Sequence, residues 1–336
     1  MLPYDVADVA ILGGGLSGVL AAGYLAHDHD RTVVMVEPGE PGAAFWTGGL
    51  KYLRTSNEFT ALLGRLGLCA DIRTVHGGAL MYPDDVDETI FGATKYVLKR
   101  YPLANPRDTA LLQRMHYRKT RGTMEGYTSE SMNFGGAVGT AYDLNYKALV
   151  ANCLYSTVVL KNKVAHISHA PEYTSIILDS GFALRARWVI STIPLPAYLS
   201  ASGVAEAARP ILRHRWLHIA HIKCEKPEAL RPFNYVYTPT FHRAHRITAT
   251  ADGYDIEVNS DSRNGFEPQD VADAIEWLGV DKAAMMVVNT IPGHILPSDF
   301  RGWGPPSTHH LLGRFAAWEA RATASDTPRR MADWGF

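Results

Sequence analysis

The segment over residues 8–37, DVAILGGGLSGVLAAGYLAHDHDRTVVMVE, is the sequence feature that most constrains the fold of this chain. A short apolar run at residues 9–12 predicts a buried strand, and a G-x-G-x-x-G motif follows it directly. The motif opens a predicted helix over residues 16–25, and residues 33–36 form a second apolar run that ends in an acid. Strand, glycines, helix, strand and acid at these spacings predict a nucleotide-binding βαβ unit, whereas glycines alone would predict only a turn.

Each glycine of the motif has a separate predicted role. Gly13 permits the tight turn out of the strand, Gly15 lets the backbone approach a pyrophosphate, and Gly18 lets the helix pack close to the sheet. The helix begins with Leu16 and Ser17. Free N–H groups and the positive end of the helix dipole favour an anion at this end, so both residues are predicted to contact the cofactor.

The acid at the end of the second strand is Glu37, nineteen residues after Gly18. A carboxylate in this position accepts hydrogen bonds from a ribose diol and would repel a 2′-phosphate. The unit stands at the start of the sequence, no second copy follows, and most of the 336 residues come after it. By analogy with proteins of that arrangement, we expect the dinucleotide to be FAD rather than NAD.

Composition is that of a soluble globular protein, with 46% apolar and 20% charged residues. The length exceeds what one core usually supports, which predicts two intertwined domains. No apolar run reaches the roughly 18 residues of a membrane span, and the acidic, glycine-interrupted N-terminus does not fit a targeting signal. We therefore expect a cytoplasmic protein that does not contact membranes, and the sequence does not define its oligomeric state.

The three cysteines, Cys69, Cys153 and Cys224, are odd in number and far apart in the sequence. This spacing fits neither a disulfide framework nor a metal site. We expect buried reduced thiols and no bound metal.

Charge is unevenly distributed along the chain. Residues 1–94 carry five Lys/Arg against twelve Asp/Glu, a net −7, whereas residues 95–124 carry eight Lys/Arg against one Asp, a net +7. Tyrosines are interleaved with these cations, a combination that suits a phosphate-rich ligand and extends to nucleic acid. We therefore expect DNA contact through residues 95–121, with Arg114 and Arg118 as candidate substrate contacts. A solvated helix face has the same composition, and this alternative stays open.

The periodicity of the remaining chain changes from helical to alternating. Residues 57–66 and 87–100 have helical spacing, whereas short β segments over residues 157–186 lead into an apolar strand at residues 188–194. A meander followed by a buried strand is the pattern that returns a chain to its nucleotide-binding sheet after an inserted domain. Residues 201–300 alternate again and predict further strands.

This pattern resembles the FAD superfamily that includes UDP-galactopyranose mutase, protoporphyrinogen oxidase and the flavin amine oxidases. The resemblance rests on residues 13–37, on the meander of residues 158–179 with the VISTIP strand at 189–194, on FHR at 241–243, and on LGRF at 312–315. It implies an α/β fold, in which a Rossmann-like FAD-binding domain, a parallel sheet plus a β-meander, is interwoven with an α+β substrate domain.

The implied domains are discontinuous. The FAD-binding domain would contain residues 1–50, 146–200 and 301–336. The substrate-binding or cap domain would contain residues 51–145 and 201–300.

The resemblance also implies cofactor contacts late in the chain. The strand that matches the one containing Val164 places a backbone pair beside the adenine in that superfamily, and the loop that matches Thr192 lies near the pyrophosphate. The late glycine–arginine pair lies beside the phosphates or the ribityl chain, which here implies Gly313, Arg314 and Phe315.

A glycine pair after the second-strand acid would approach the ribityl chain or the flavin ring. Gly48, Gly49 and Leu50 are the matching residues, and they depart from the family pattern. The pair begins eleven residues beyond Glu37, where the family usually has about six. A helix N-terminal turn is the alternative interpretation.

The function implied by the resemblance is an FAD-dependent, amine oxidase-like oxidoreductase or lyase that acts on a carbon–nitrogen bond in an amine or amino acid substituent. The chain also resembles FAD-dependent enzymes that bacteriophages encode for thymidine hypermodification, which implies a substituent on a modified nucleotide or DNA base. A mutase-like isomerase acting on a nucleotide-sugar and a non-catalytic flavin-binding protein are the alternatives.

Such chemistry needs few side chains, because the flavin carries out the difficult step. Lys51 is the candidate for a lysine that holds a water near the flavin, and His245 is a candidate acid–base group. Arg243 and Arg246 are candidates to grip a carboxylate or phosphate bidentately, and Tyr237 is a candidate substrate contact. Surface cations and a structural histidine remain the alternatives.

Overall fold

The computed structural model of the protein describes residues 6–26, 31–43, 53, 55–83, 96–100, 103–120, 138–205, 212–224, 230–280, 286–295, 304–318 and 323–336, without the side chains of residues 116–120, 138–139 and 294. The described strands are β1 Ala7–Leu12, β2 Val33–Val36, β3 Asp71–Met81, β4 Val97–Arg100, β5 Val138–Asp143, β6 Thr157–Leu160, β7 Val164–His169, β8 Thr174–Leu178, β9 Ala183–Ser191, β10 His214–Lys223, β11 Tyr235–Tyr237, β12 Ala244–Ala249, β13 Gly253–Ser260, β14 Met286–Ile295 and β15 His309–Leu311. The described α-helices are α1 Leu16–Leu25, α2 Asn57–Arg65, α3 Pro106–Thr120, α4 Tyr146–Cys153, α5 Leu195–Ala201, α6 Ala272–Leu278, α7 Arg314–Ala317 and α8 Thr327–Asp333.

The first sheet has the strand order β6-β2-β1-β9-β8-β7, with β15 paired to β9. Strands β6, β2, β1, β9 and β15 run parallel, while β7, β8 and β9 form an antiparallel meander. The predicted α/β fold with a parallel sheet and a meander is confirmed.

Strands β1 and β2 lie at the centre of this sheet because their side chains are apolar on both faces. Every residue of β2 is buried, as are five of the six residues of β1. Near-continuous apolar runs are typical of parallel strands that are covered on both sides. Helix α1 packs on the sheet through small buried residues such as Ala21 and Ala22.

The second sheet has the order β14-β10-β13-β12-β11-β3-β4, and β5 also pairs with β3. Most of its pairings are antiparallel, but β11 and β3 pair in parallel, with Tyr235 opposite Gly77. That single parallel pairing joins strands from two stretches of chain, before and after the meander, into one sheet. The discontinuous domain boundaries given above are not tested by this sheet arrangement and stay a prediction.

Different helices cover the two faces of the second sheet. One face packs an apolar core that includes Ile256 and Val258 of β13 against Ala274 and Leu278 of α6. On the other face, α3 packs against β3 and β11. The contact residues on that side are Ala79, Met81, Leu111, Leu112, Met115 and Tyr237. The basic helix α3 therefore lies over the face that carries Tyr237.

Two predictions of local structure were wrong. Residues 97–100 form strand β4 and not the end of a helix, because they pair antiparallel with residues 78–81 of β3. Residues 87–95 of that predicted helix lie outside the described residues. The sequence predicted a β segment ending at residue 186 and a separate strand at residues 188–194, but residues 183–191 form one strand, β9, which pairs with β8 in its first half and with β15 at its end.

The cysteines differ in exposure. Cys153 is buried against Gly23, and burial raises the pKa of its thiol to about 12. Cys224 is half-buried, whereas Cys69 is exposed, so the expectation of buried thiols was wrong for Cys69. All three are free thiols.

Candidate functional site

The chain is tightly packed at Gly13 in the loop between β1 and α1 and at Gly18 in α1, whereas Gly15 borders open space. Gly13 has a φ of +98°, and a Cβ there would lie 2.6 Å from Oγ1 of Thr192. A Cβ at Gly18 would lie 2.1 Å from the carbonyl oxygen of Gly13. Among the described residues, no heavy atom lies within 4 Å of a Cβ built at Gly15. The backbone at Gly15 therefore borders open space that a ligand can approach.

The N-terminus of α1 faces the same place. Gly15 is the N-cap residue, and no side chain of the described chain caps the helix or places an acid in its first turn. The N–H groups of Leu16, Ser17 and Gly18 belong to that first turn and have no carbonyl partner within the helix. With the helix dipole, these groups make the N-terminus of α1 a favourable position for an anion.

Glu37 lies beside this loop at the end of β2. Its Oε2 accepts a hydrogen bond from the N–H of Gly14 at 2.7 Å, and its Oε1 accepts one from Gly39 at 2.8 Å. Its own N–H donates to the carbonyl oxygen of Leu160 at 3.0 Å, which ties β2 to the end of β6. Each carboxylate oxygen keeps acceptor capacity for a further donor. The side chain is therefore fixed in place and still able to accept hydrogen bonds from a diol.

Thr192 attaches the strand β9 to the glycine loop. Its N–H donates to the carbonyl oxygen of Leu12 at 2.7 Å, and its hydroxyl donates to that of Gly13 at 2.9 Å. The family resemblance implied that Thr192 lies near a pyrophosphate, and the structure places Thr192 directly against the glycine loop.

Gly313 approaches the same helix end from the last part of the chain. It has a φ of +90°, and a Cβ there would lie 2.9 Å from Oγ of Ser17. Leu312 donates its N–H to the carbonyl oxygen of Ser191, the last residue of β9, at 2.9 Å. Arg314 and Phe315 follow in the short helix α7, and both are half-buried. The structure thus brings Gly13, Ser17, Thr192 and Gly313 together.

The remaining cofactor candidates are placed only in part. Val164 is the first residue of β7, half-buried and four residues after Leu160, whose carbonyl oxygen bonds to Glu37. Gly48, Gly49, Leu50 and Lys51 lie outside the described residues.

A cluster of charged side chains occupies the middle of the second sheet. Arg246 of β12 places its NH2 group 2.5 and 2.7 Å from the two carboxylate oxygens of Glu257, which is 1% exposed. Nε2 of the buried His245 lies 3.2 Å from Oε2 of the same carboxylate. The Arg246 guanidinium also lies over the ring of Tyr237, 5.9 Å from its centroid. Two candidates from the sequence, Arg246 and His245, therefore contact Glu257, and a third, Tyr237, contacts Arg246.

A β-bulge in β12 brings the side chains of this cluster to one face of the sheet. Side chains alternate between the two faces of a regular strand, so His245 and Arg246 would point to opposite sides. The register between β12 and β13 shifts between Ala244 and Arg246, and both side chains reach Glu257 as a result. Burial alone would lower the pKa of Arg246, but the charge of Glu257 and the contact with Tyr237 outweigh burial and raise it.

The other arginine candidates have different surroundings. Nε of Arg243 lies 3.0 Å from Oδ1 of Asp270, and the Arg243 side chain is 43% exposed. Arg114 is exposed on α3, and the side chain of Arg118 is outside the described part of the chain. Within the basic stretch, Lys99 forms a 2.7 Å ion pair with the buried Asp108.

Sequence reasoning missed Glu257 and its neighbours Asp255 and Asn259. All three are buried, and they alternate along β13 with the apolar residues Tyr254, Ile256 and Val258. A period-2 row of polar residues within an otherwise apolar strand was the signal that would have found them, because such residues share one face of the sheet.

Neither a protein-family model nor a curated protein sequence matches this chain. Solved structures do. A reduced UDP-galactopyranose mutase has a TM-score of 0.67 at 13% identity, over 96% of this chain and 93% of that chain. An oxidoreductase from Methanosarcina mazei has a TM-score of 0.64 at 13% identity, over 97% and 100%. A putrescine oxidase bound to putrescine has a TM-score of 0.63 at 12% identity, over 97% and 98%.

These similarities, at 12–13% identity, define the fold. The chain has the Rossmann-like fold of FAD-binding flavoenzymes. Within the described ranges, no helix has both the length and the apolar character needed to cross a bilayer.

Proposed function

We propose that this protein is an FAD-dependent oxidoreductase that oxidises or cleaves a carbon–nitrogen bond in an amine or amino acid substituent. The observation that carries the proposal is the convergence of Gly13, Ser17, Thr192 and Gly313 at the uncapped N-terminus of α1, with Glu37 beside it. The open space at Gly15 and the acceptors on Glu37 fit the diphosphate and ribose of FAD.

The chain's own residues would divide the work of holding the coenzyme. The first-turn N–H groups of α1 would bind the diphosphate, and Glu37 would accept hydrogen bonds from the ribose hydroxyls. Thr192 and Gly313 would fix the loop and the helix end against each other. Val164, Arg314 and Phe315 are proposed as further contacts, as are Gly48, Gly49 and Leu50. FAD, when bound, supplies the acceptor for a hydride from the carbon next to nitrogen.

We assign the substrate to the face of the second sheet that carries Glu257. An amine must lose its proton before a hydride leaves the adjacent carbon, so the site needs a base. His245 is the proposed acid–base group, and the Glu257 carboxylate lies 3.2 Å from its Nε2. Asn259 lies 3.3 Å from Nδ1 and orients the ring. Lys51 remains the proposed residue for holding a water.

Flavin spectroscopy tests the proposal. We expect the purified protein to show oxidised-flavin absorbance that denaturation and filtration remove, and anaerobic addition of a suitable amine to bleach it. Readmitted air should restore the absorbance with release of peroxide and an imine-derived aldehyde. A folded protein that takes up no FAD would refute the proposal.

A mutase-like isomerase acting on a nucleotide-sugar is the second candidate, and the similarity to UDP-galactopyranose mutase favours it. Two ion pairs argue against an isomerase of this kind. Arg243 and Arg246, which would grip a pyrophosphate, are already paired with Asp270 and Glu257. Activity that appears only after dithionite reduction would support the isomerase. Flavin that neither amines nor nucleotide-sugars perturb would leave a non-catalytic flavin-binding protein.

Attachment of the substrate amine to a nucleotide or DNA base is a separate part of the proposal. It depends on the basic residues 95–121, where Arg114 is exposed, although Lys99 is neutralised by Asp108. Retention on heparin or DNA should fall steeply with salt if this stretch contacts phosphates. Retention that is indifferent to salt would reject that role.

A cytoplasmic location is proposed because the cysteines are free thiols.

A further inference from the structure

Three side chains on one face of the second sheet each have a buried polar atom without a hydrogen-bond partner in the part of the chain that the structure describes. The atoms are Nε of Arg246, Oγ1 of Thr248 and Oδ1 of Asn259. Thr248 and Asn259 are 5% and 7% exposed. Buried polar groups are nearly always hydrogen-bonded, because an unmade bond costs free energy. Three such atoms on neighbouring strands indicate a ligand.

Strand register places these atoms in one row. Arg246 lies opposite Glu257, and Thr248 lies opposite Asp255, so the two pairs are adjacent along β12 and β13. Asn259 comes two residues after Glu257 and therefore points to the same face. The intervening residues of both strands belong to the apolar core on the other face.

The row begins near the coenzyme site. The ring centroid of His214, the first residue of β10, lies 6.0 Å from that of Phe315, which follows Gly313. Leu217 of β10 lies opposite Asn259. Three residues of strand span about 10 Å, so Asn259 is about that far along the sheet from the coenzyme segment, and the row runs onward from there.

The row combines acids, a cation and neutral hydrogen-bonding groups. Its fixed charges are the buried carboxylates of Asp255 and Glu257 and the guanidinium of Arg246. Nε of Arg246 offers a donor, Oδ1 of Asn259 an acceptor, and the Thr248 hydroxyl can be either. A ligand that satisfies these atoms must itself carry neutral polar groups.

We propose that this row is the substrate-recognition surface and that it selects amines bearing hydroxyl or amide groups over alkyl amines. The inference rests on the proposed function and narrows its substrate class. An alkyl chain on the row would leave the three atoms without partners. Sites built to hydrogen-bond a substrate reject analogues that lack the bonding group by factors that reach about 10⁴–10⁵.

Calorimetric titration of the flavin-loaded protein with matched probes tests the inference without requiring turnover. D-glucosamine is compared with cyclohexylamine, and β-alaninamide with isopentylamine. We expect at least one polar amine to bind about 100-fold more tightly than its alkyl match. Equal affinities, tighter binding of the alkyl amines, or no binding of any probe would overturn the inference.

Two variants test whether the row causes the preference for polar amines. Thr248→Val keeps the side-chain shape and should reduce the preference for the polar amine about 10-fold, and Asn259→Leu should do the same. Thr290→Val is the matched control, because Thr290 bonds to His218 on the opposite face of the sheet. Unchanged selectivity in both row variants, with normal flavin spectra showing that they fold, would overturn the assignment. Selective binding without flavin reduction would refute the proposed oxidation and leave the recognition surface standing.

Discussion

The carboxylate of Glu37 accepts a 2.7 Å hydrogen bond from the backbone N–H of Gly14, and so joins the end of the second strand to the turn after the first. Gly39 donates to the other oxygen at 2.8 Å. Both oxygens are therefore held in position independently of any ligand, and the loop and the carboxylate form one unit.

Glu37→Gln should weaken FAD binding about 10- to 100-fold, because an amide replaces one acceptor oxygen with a donor and removes the charge that strengthens these bonds. Fluorescence titration of the flavin-free protein with FAD measures the change. Glu40→Gln, at an exposed position nearby, is the control and should bind FAD normally. Equal affinity in Glu37→Gln and the unaltered protein would contradict the ribose assignment.

Alanine at Gly18 should reduce the stability of the fold, whereas alanine at Gly15 should reduce the affinity for FAD. Gly18→Ala places a Cβ 2.1 Å from the carbonyl oxygen of Gly13 and should destabilise the flavin-free protein by about 3 kcal/mol or more. Gly15→Ala meets open space and should leave that stability nearly unchanged while it weakens FAD binding. Urea unfolding and FAD titration of both variants separate the two effects. A Gly15→Ala protein with full FAD affinity would show that the coenzyme does not approach there.

Glu257→Gln should destabilise the protein by about 3–5 kcal/mol, because the charge of Arg246 would remain buried without its partner. Adding Arg246→Met to this variant should recover part of the loss, since the unpaired charge is then removed. Urea unfolding of the two single variants and the double variant measures the coupling.

The ion pair of Arg243 and Asp270 provides the comparison for that experiment. The Arg243 side chain is 43% exposed, so Arg243→Met should cost about 1 kcal/mol or less. A loss in Glu257→Gln no larger than this would mean that the buried cluster is not a coupled unit.

Stability should fall as the pH is lowered below 6.5, in part because of His309. This side chain is buried and hydrogen-bonded to Thr174 and Tyr198. Burial, with smaller effects of His169 and His310, lowers its pKa from 6.5 to about 4. Between these two values the unfolded chain binds more protons than the folded one.

The stability contributed by neutral His309 is therefore complete above pH 6.5 and lost as the pH falls toward 4, by at most about 3 kcal/mol. Urea unfolding at several pH values should show a shallower acid decline for His309→Gln than for His242→Gln, whose side chain is exposed. Identical declines would show that His309 does not contribute.

Local sequence was sufficient for the elements whose residues interact with near neighbours. The predicted helix over residues 16–25 and the strand over residues 33–36 have the bounds observed for α1 and β2. Strand β4 was assigned incorrectly because its four residues become extended only by pairing with β3, a contact that helical spacing does not encode.

The sequence by itself determined the βαβ unit and its glycine loop, because the spacing of Gly13, Gly15, Gly18 and Glu37 follows from backbone geometry within thirty residues. Tertiary structure alone decided that Thr192 and Gly313 meet that loop, since both contacts join segments separated by well over a hundred residues. It alone also decided that Arg246 and His245 surround Glu257, because the register shift between β12 and β13 turns both side chains to one face. A β-bulge adds a residue to one strand and interrupts the regular alternation, so alternation along the sequence does not place these two side chains on one face.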